Sequence, residues 1–327
     1  MIIAKAPLRV SYLGGGSDYE SFFQNHTGVV FGTTIEHYVY TIINPLQKFA
    51  SEKFRFTYRK TESVLDCGEF DHPVVREVLK DLNWQSPINI ATMSDVPGNS
   101  GLGSSSAFTV SLLAALNCYL GLEPSPSDLA VKAVQIERHI LLESGGVQDQ
   151  FHSAIGGFRK YVFSKNKTSH SKNITDPAIK NYISDRQWLL RVGDARNSSD
   201  LARNFHLSEG EKVSKQKLLA DAALSYWSEL EKINQPEDFY NLLCESIKAS
   251  WDIKSKFDSV SNSLVQAKVD FLLSSGVDSV KLCGAGGSGF LLFLTQPDNI
   301  EKIVKECPQG WVLPARIEDS GVGLTEI

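Results

Sequence analysis

The chain has 327 residues, of which 42% are hydrophobic and 22% charged, with a formal net charge of −5. That length and balance suit a folded protein with a sizeable core, in two domains or one large one, and exclude disordered and fibrous classes. The acidic balance without a basic stripe argues against nucleic acid as a partner, and no apolar run approaches the ~20 residues that span a bilayer.

Residues 2–13 read as a strand that ends at Gly14-Gly15-Gly16, and 29–43, carrying Val30, Ile35, Val39, Ile42 and Ile43, read as another. The N-terminus shows no signal-peptide apolar region. The basic group Lys48, Lys53, Arg55, Arg59 and Lys60, interrupted by Glu52, is expected to be a solvated strand edge or hairpin. Ile88–Ala91 suggests a short strand leading to Pro97-Gly98. After Ser104-Ser105-Ser106, Phe108, Leu112, Leu113, Leu116 and Leu120 recur at helical spacing, and Gly121 supplies a stop. Ser125-Pro126-Ser127-Asp128 then provides an N-cap, a first-turn proline and a first-turn acid. The helix it opens is predicted to run to about Ser144, where Gly145-Gly146 ends it. Strands are expected at 157–163 and 187–193, with the polar stretch Ser164–Asp176 as a loop between them. Residues 198–275 read as mainly helical, and Lys281-Leu282 and Phe290–Leu294 as a hairpin around a glycine-rich turn. A domain boundary is placed near 185. The five cysteines, Cys67, Cys118, Cys244, Cys283 and Cys307, make no CxxC or His–Cys metal spacing, which fits reduced thiols in a cytoplasmic protein.

Three segments carry chemistry. Pro97-Gly98-Asn99-Ser100-Gly101-Leu102-Gly103-Ser104-Ser105-Ser106-Ala107 lies directly before a strong helix. Glycines allow close approach of backbone to ligand, and helix N-terminal amides bind phosphate. It lacks the Gly-Lys-Ser/Thr ending of a Walker loop. The bland alternative is a flexible turn with a serine cap. Next, Glu137 faces Ala133, Val134, Ile140 and Leu141 on its helix. A carboxylate among apolar neighbours needs a cation or hydrogen bonds; an edge position or a structural ion pair with a nearby Arg is the alternative. Asp149 follows Gly145-Gly146 and precedes Gly156-Gly157, so it is either a cleft carboxylate or a helix cap. The third segment, Gly284–Gly289, could close over a ligand or be an ordinary hairpin turn.

Together and in this order these segments resemble the GHMP kinase superfamily, which includes galactokinase, homoserine kinase and mevalonate kinase. Its first motif resembles Ala6-Pro7-Leu8-Arg9-Val10 with Gly14–Tyr19, its phosphate loop Pro97–Ala107, and its third motif Lys281–Phe290. The step of twelve positions from Glu137 to Asp149 is similar to that of galactokinases. The resemblance implies an α+β fold. Residues 1–185 would be a ribosomal protein S5 domain 2-like N-terminal domain and 186–327 a ferredoxin-like C-terminal domain. It implies ATP and Mg²⁺ as cofactors, with Asp149 and Arg9 catalytic. Pro97, Gly98, Gly101, Leu102, Gly103, Ser104, Ser105 and Ser106 would hold ATP. Glu137 and a loop serine would hold Mg²⁺; the alignment points to Ser105, with Ser106 the open alternative. Gly15, Gly16, Ser17, Asp18, Gly286 and Gly287 would line the substrate site.

Galactokinases have Gly-Glu-His-Thr-Asp-Tyr where this chain has Gly14-Gly15-Gly16-Ser17-Asp18-Tyr19. That version resembles the D-glycero-D-manno-heptose 7-phosphate kinases, and also the fucokinases. Gly193-Asp194-Ala195-Arg196-Asn197-Ser198 is similar to the heptose-kinase segment, so Arg196 would hold the substrate's phosphate; a surface ion pair is the alternative. The implied reaction is phosphorylation of a sugar phosphate at its anomeric hydroxyl, giving a 1,7-bisphosphate. A fucokinase-like kinase and a catalytically silent sugar or ATP sensor are the competing readings. No membrane partner is expected, and a homodimer stays open.

Overall fold

The computed structural model describes residues 1–47, 52–98, 100–165, 167–174, 176–193, 209–256, 262–284, 286–287 and 289–327. The fold begins with two long antiparallel strands, β1 (Ile2–Leu13) and β2 (Gly28–Pro45), with the short helix α1 (Glu20–Phe23) between them. On β1, burial alternates from Ile2 to Ala6, as on a strand with one core face, and is continuous from Ala6 to Val10, where both faces are covered. The hairpin β3 (Phe54–Thr57) and β4 (Thr61–Val64) carries the described members of the basic group, as anticipated. Helix α2 (Pro73–Asp81) leads to β5 (Ile88–Ser94), which pairs with the far half of β2. Helix α3 (Ser104–Tyr119) packs across β1 and β2. It is apolar all round and buried from Ser106 to Leu116, as a helix between a sheet and other helices must be.

Helix α4 (Pro126–Val134) starts at the Ser125 capping box, as expected. It ends earlier than Ser144. From Gln135 to Ile140 the chain widens into a π-helical turn, with the Leu141 amide donating to Ile136 O at 2.9 Å. Such turns shift the facing of the residues they contain. Helix α5 (Gln148–Ile155) follows, then β6 (Phe158–Ser164), which pairs with the near half of β2. The expected loop Ser164–Asp176 instead contains β7 (Lys167–His170), paired with β6. All four of its residues are exposed, so no apolar pattern marks it. Asp176 caps a further short helix, α6 (Pro177–Ser184).

Strand β8 (Gln187–Arg191) opens the second sheet. The helices α7 (Glu209–Leu230), α8 (Pro236–Lys254) and α9 (Ser263–Ser274) fill the described part of the helical stretch. Strands β9 (Ser279–Leu282) and β10 (Phe290–Leu294) form the expected antiparallel hairpin. After α10 (Pro297–Glu306), β11 (Val312–Pro314) completes a four-stranded sheet in the order β11-β8-β10-β9. Every residue of β10 is buried. The chain then returns: β12 (Ile317–Glu318) pairs with β2, and β13 (Gly323–Glu326) with β1. A cut near 185 therefore separates the two sheets but leaves the last two strands in the first. No helix among the described residues is long and apolar enough to cross a membrane.

Polar and aromatic contacts join the two sheets. Tyr12 donates to Gln187 Oε1 at 2.6 Å. Lys281 Nζ, on β9, donates to Ser11 O, Tyr12 O and Ser250 Oγ at 2.7, 2.8 and 3.0 Å. Phe158 packs against Tyr12, Trp227 and Phe239, with ring centroids 5.0, 6.0 and 5.7 Å away. It thereby bonds β1, β6, α7 and α8 into one core. Replacing Phe158 by Ala is expected to remove about 3–5 kcal/mol of stability, read as a lower urea midpoint. His152, on α5, is fully buried against Tyr161, and neither ring nitrogen has a partner. Burial first, then Arg9 and Arg159, hold its pKa down to about 3. The unfolded ring takes a proton below about 6.5, whereas the folded one does not until far lower. Stability is therefore present above that pH and lost on acidification, by about 2 kcal/mol at pH 5. Urea unfolding at pH 7 and pH 5 checks this, with His152→Gln expected to abolish that part of the pH dependence.

Candidate active site

Four segments converge where the strongest motifs were read. Gly101 and Gly103 both adopt positive φ, 77° and 78°, a conformation that favours glycine. A Cβ on Gly101 would lie 2.7 Å from Cys283 O, and one on Gly284 would lie 2.6 Å from Gly101 Cα. The expected phosphate loop and the glycine-rich hairpin turn thus touch backbone to backbone. Gly103 is the N-cap of α3 and offers no side-chain cap. The first helical bond is Ala107 N to Gly103 O, so the amides before it have no acceptor within the helix. They form a positive helix end of the kind that takes phosphate. Leu102 is buried and anchors the loop, while Pro97 and Gly98 are exposed.

Arg9 sits against this loop. Its backbone amide donates to Leu102 O at 3.0 Å and its Nη1 to Gly101 O at 2.7 Å. Its Nε and Nη2 donate to the two oxygens of Asp149 at 2.8 and 2.7 Å. A Cβ on Gly103 would lie 3.3 Å from Asp149 Oδ2. Asp149 lies in the first turn of α5, but the N-cap position is Val147, and the carboxylate goes to Arg9 rather than to capping.

Glu137 is 1% exposed and projects from the π turn. Its Oε2 accepts from Ser106 Oγ at 2.9 Å and Gln150 Nε2 at 2.7 Å, while Arg138 lies 3.5 Å away. Its other oxygen is buried without a partner. Burial pushes the Glu137 pKa up, against the pull of Arg138 and the hydrogen bonds. Both sequence alternatives thus meet here: an arginine is near, yet half the carboxylate is unspent. An orphan carboxylate oxygen beside a serine hydroxyl is a hard-oxygen pair that fits Mg²⁺. No group of three or more His, Cys, Asp or Glu that could hold a metal occurs among the described residues, so most of the coordination would come from phosphate and water. The serine whose hydroxyl meets Glu137 is Ser106, not Ser105. Ser105 is exposed, because successive helical residues point about 100° apart and only Ser106 faces Glu137.

Asp18 is 1% exposed and accepts from Gly16 N, Gln148 N and Gln148 Nε2 at 2.8, 3.1 and 3.0 Å. Gly146 lies so close that a Cβ there would fall 1.9 Å from Asp18 Oδ2. Gly15 lies beside Ser11, Gln148 and Lys254, and Gly16 O accepts from Gln216. Ser17 departs from expectation. It is fully buried and its hydroxyl is used by Gly14 O and by the Val29 amide, so it braces the turn instead of facing a ligand. Gly286 and Gly287 lie in the turn beside the loop, with Gly287 O accepting from Asn262 at 2.8 Å. Arg196 lies outside the described residues. A cavity of about 650 Å³ lined by Lys160, Trp227 and Phe239 contains none of these groups. Sequence reasoning missed Gln148, Gln150 and Lys254. A lone glutamine, or a lysine in the last turn of a helix, looks the same as a solvated one.

A family model described as the GHMP kinases N terminal domain matches residues 72–157. A D-glycero-alpha-D-manno-heptose 7-phosphate kinase of Campylobacter jejuni is 28% identical over 98% of this chain and 98% of its own. A galactokinase of Thermotoga neapolitana is 23% identical over 92% of this chain and 91% of its own. The crystal structure of a D-glycero-D-manno-heptose 1-phosphate kinase from Bacteroides thetaiotaomicron superposes with a TM-score of 0.79 at 22% identity, covering 100% of this chain and 99% of that one. The matched domain spans Ser106, Glu137 and Asp149 and the fold is shared along the whole chain, so the chain carries a GHMP kinases N terminal domain and is a phosphotransferase that acts on a hydroxyl group.

Proposed function

We propose that the chain phosphorylates the anomeric hydroxyl of a heptose 7-phosphate, giving the 1,7-bisphosphate, in the cytoplasm and with Mg²⁺ as the metal. The observation that carries the chemistry is the Arg9–Asp149 pair seated on the loop that opens α3. The resemblance over nearly the whole length to a heptose 7-phosphate kinase supports the choice of acceptor. Five unpaired cysteines fit a reducing compartment.

Phosphoryl transfer asks the protein mainly for alignment and for charge stabilisation. In this reading the Ser104–Ser106 amides and the α3 N-terminus receive the phosphates of ATP. Ser106 and Glu137 would hold Mg²⁺, which would supply positive charge to the phosphates. Asp149, held in orientation by Arg9, accepts the hydrogen bond of the attacking hydroxyl and orients it. Arg9 keeps its own positive charge beside the phosphoryl oxygens, where charge gathers during transfer. Asp18, fixed by three donors, presents its remaining lone pairs to acceptor hydroxyls.

Coupled ADP release with MgATP and a panel of heptose 7-phosphate, L-fucose, galactose, homoserine and mevalonate tests the reading. Turnover on the heptose phosphate alone is expected; turnover on L-fucose alone would retire the acceptor and keep the mechanism. ATP binding without turnover on any of them would favour a sensor. Asp149→Asn is expected to lower kcat by roughly 10²–10⁴-fold while ATP still binds, and near-normal turnover in that variant would sink its role. Ser106→Ala is expected to raise the Mg²⁺ concentration needed for half-maximal rate by about 10–100-fold, whereas Ser105→Ala leaves it unchanged. The opposite pattern in a Mg²⁺ titration would return the metal to Ser105.

A further inference from the structure

One cation of the cleft has no task in the mechanism above. Lys254 stands in the last turn of α8, half-buried, with its Nζ beside Gly15. A Cβ on Gly15 would lie 3.2 Å from Lys254 Nζ, 3.2 Å from Gln148 Nε2 and 3.3 Å from Ser11 Oγ. Three side chains from β1, α5 and α8 therefore surround one spot on the glycine turn. Each has bonding capacity left. Among the described residues Lys254 Nζ has no hydrogen bond and no ion pair, and Ser11 Oγ and Gln148 Oε1 are buried without partners. Desolvation by its surroundings pulls the Lys254 pKa down, while Asp18 pulls it up.

The neighbouring carboxylates are already engaged. Asp149 is paired with Arg9, and Asp18 is held by Gly16 and Gln148. Lys281, also close enough to be felt, gives all three of its protons to neutral oxygens and brings no carboxylate with it. The region thus carries an ammonium without an acceptor, a second buried ammonium, and polar atoms waiting for a partner. Leaving a charge in that state is unfavourable unless a ligand completes it. The complement is a compact anion with several acceptor oxygens, close to Asp18 and Asp149.

We infer that Lys254, with Ser11 and Gln148, holds the phosphate group that the acceptor brings with it, and so makes this kinase prefer a phosphorylated sugar. The inference rests on the sugar-phosphate reading above. It assigns that phosphate a site among the described residues, independent of Arg196.

Equilibrium binding of heptose 7-phosphate, of unphosphorylated heptose and of ATP, measured by calorimetry on the wild type, Lys254→Met and Lys254→Arg, tests it. The wild type is expected to prefer the phosphorylated sugar. Lys254→Met should weaken that sugar by about 10–100-fold, the range for a hydrogen bond to a charged group, and leave ATP and the unphosphorylated sugar unchanged. Lys254→Arg should recover part of the loss. Because the ammonium lacks an acceptor in the free protein, Lys254→Met should also raise the thermal midpoint; a lysine with a purely structural role would lower it. A variant that keeps the wild-type preference overturns the assignment to Lys254 and leaves the acceptor reading standing. A wild type that binds both sugars equally overturns both.

Discussion

Arg9 reaches across the molecule to groups 92 and 140 positions away, and the site depends on its doing so. Its guanidinium is a planar fork, so holding both oxygens of Asp149 fixes the orientation of the carboxylate as well as its charge. The third arm and the backbone amide take two carbonyls of the loop before α3. One residue on β1 therefore sets the position of the carboxylate on α5 relative to the phosphate-binding end of α3. A lysine could supply the charge there, but not the planar fork that grips both oxygens of Asp149 while a third donor holds the loop.

Close backbone contact does the rest. The loop before α3 lies on the turn between β9 and β10 through Gly101 and Gly284, and Gly146 lets the Asp18 carboxylate pass where any side chain would collide. Motifs from the first sheet and the second can meet at one point only because these positions have no Cβ. The two sheets are in turn held by Tyr12 on Gln187 and by Lys281 on the end of β1. Burial and the nearby Lys254 both push the Lys281 pKa well down.

The π turn is a second device of the same kind. It ends α4 early, and Glu137 leaves it toward Ser106 and Gln150 rather than toward solvent. A regular helix would carry the same residues with a different facing.

What the sequence determined by itself was local. The strand of β1 with its glycine end, the serine-proline-acid start of α4, the apolar run of α3 and the glycines of the three motifs were legible because each depends on neighbours a few positions away. The motif order also carried the family resemblance, and with it Arg9 and Asp149 as catalytic candidates; their pairing came from the fold. What only the tertiary structure decided was facing and long-range company. Ser106 and not Ser105 meets Glu137, because one step along a helix turns the side chain by about 100°. Ser17 is spent on the turn, since the start of β2 folds over it. Lys254 and Gln148 join the site from segments with no motif at all. The last two strands return to the first sheet, because β1 and β2 offer edges that no local pattern in 317–326 announces. Spacing along a chain records which residues are neighbours in sequence; which of them share a cleft is settled by packing between segments far apart.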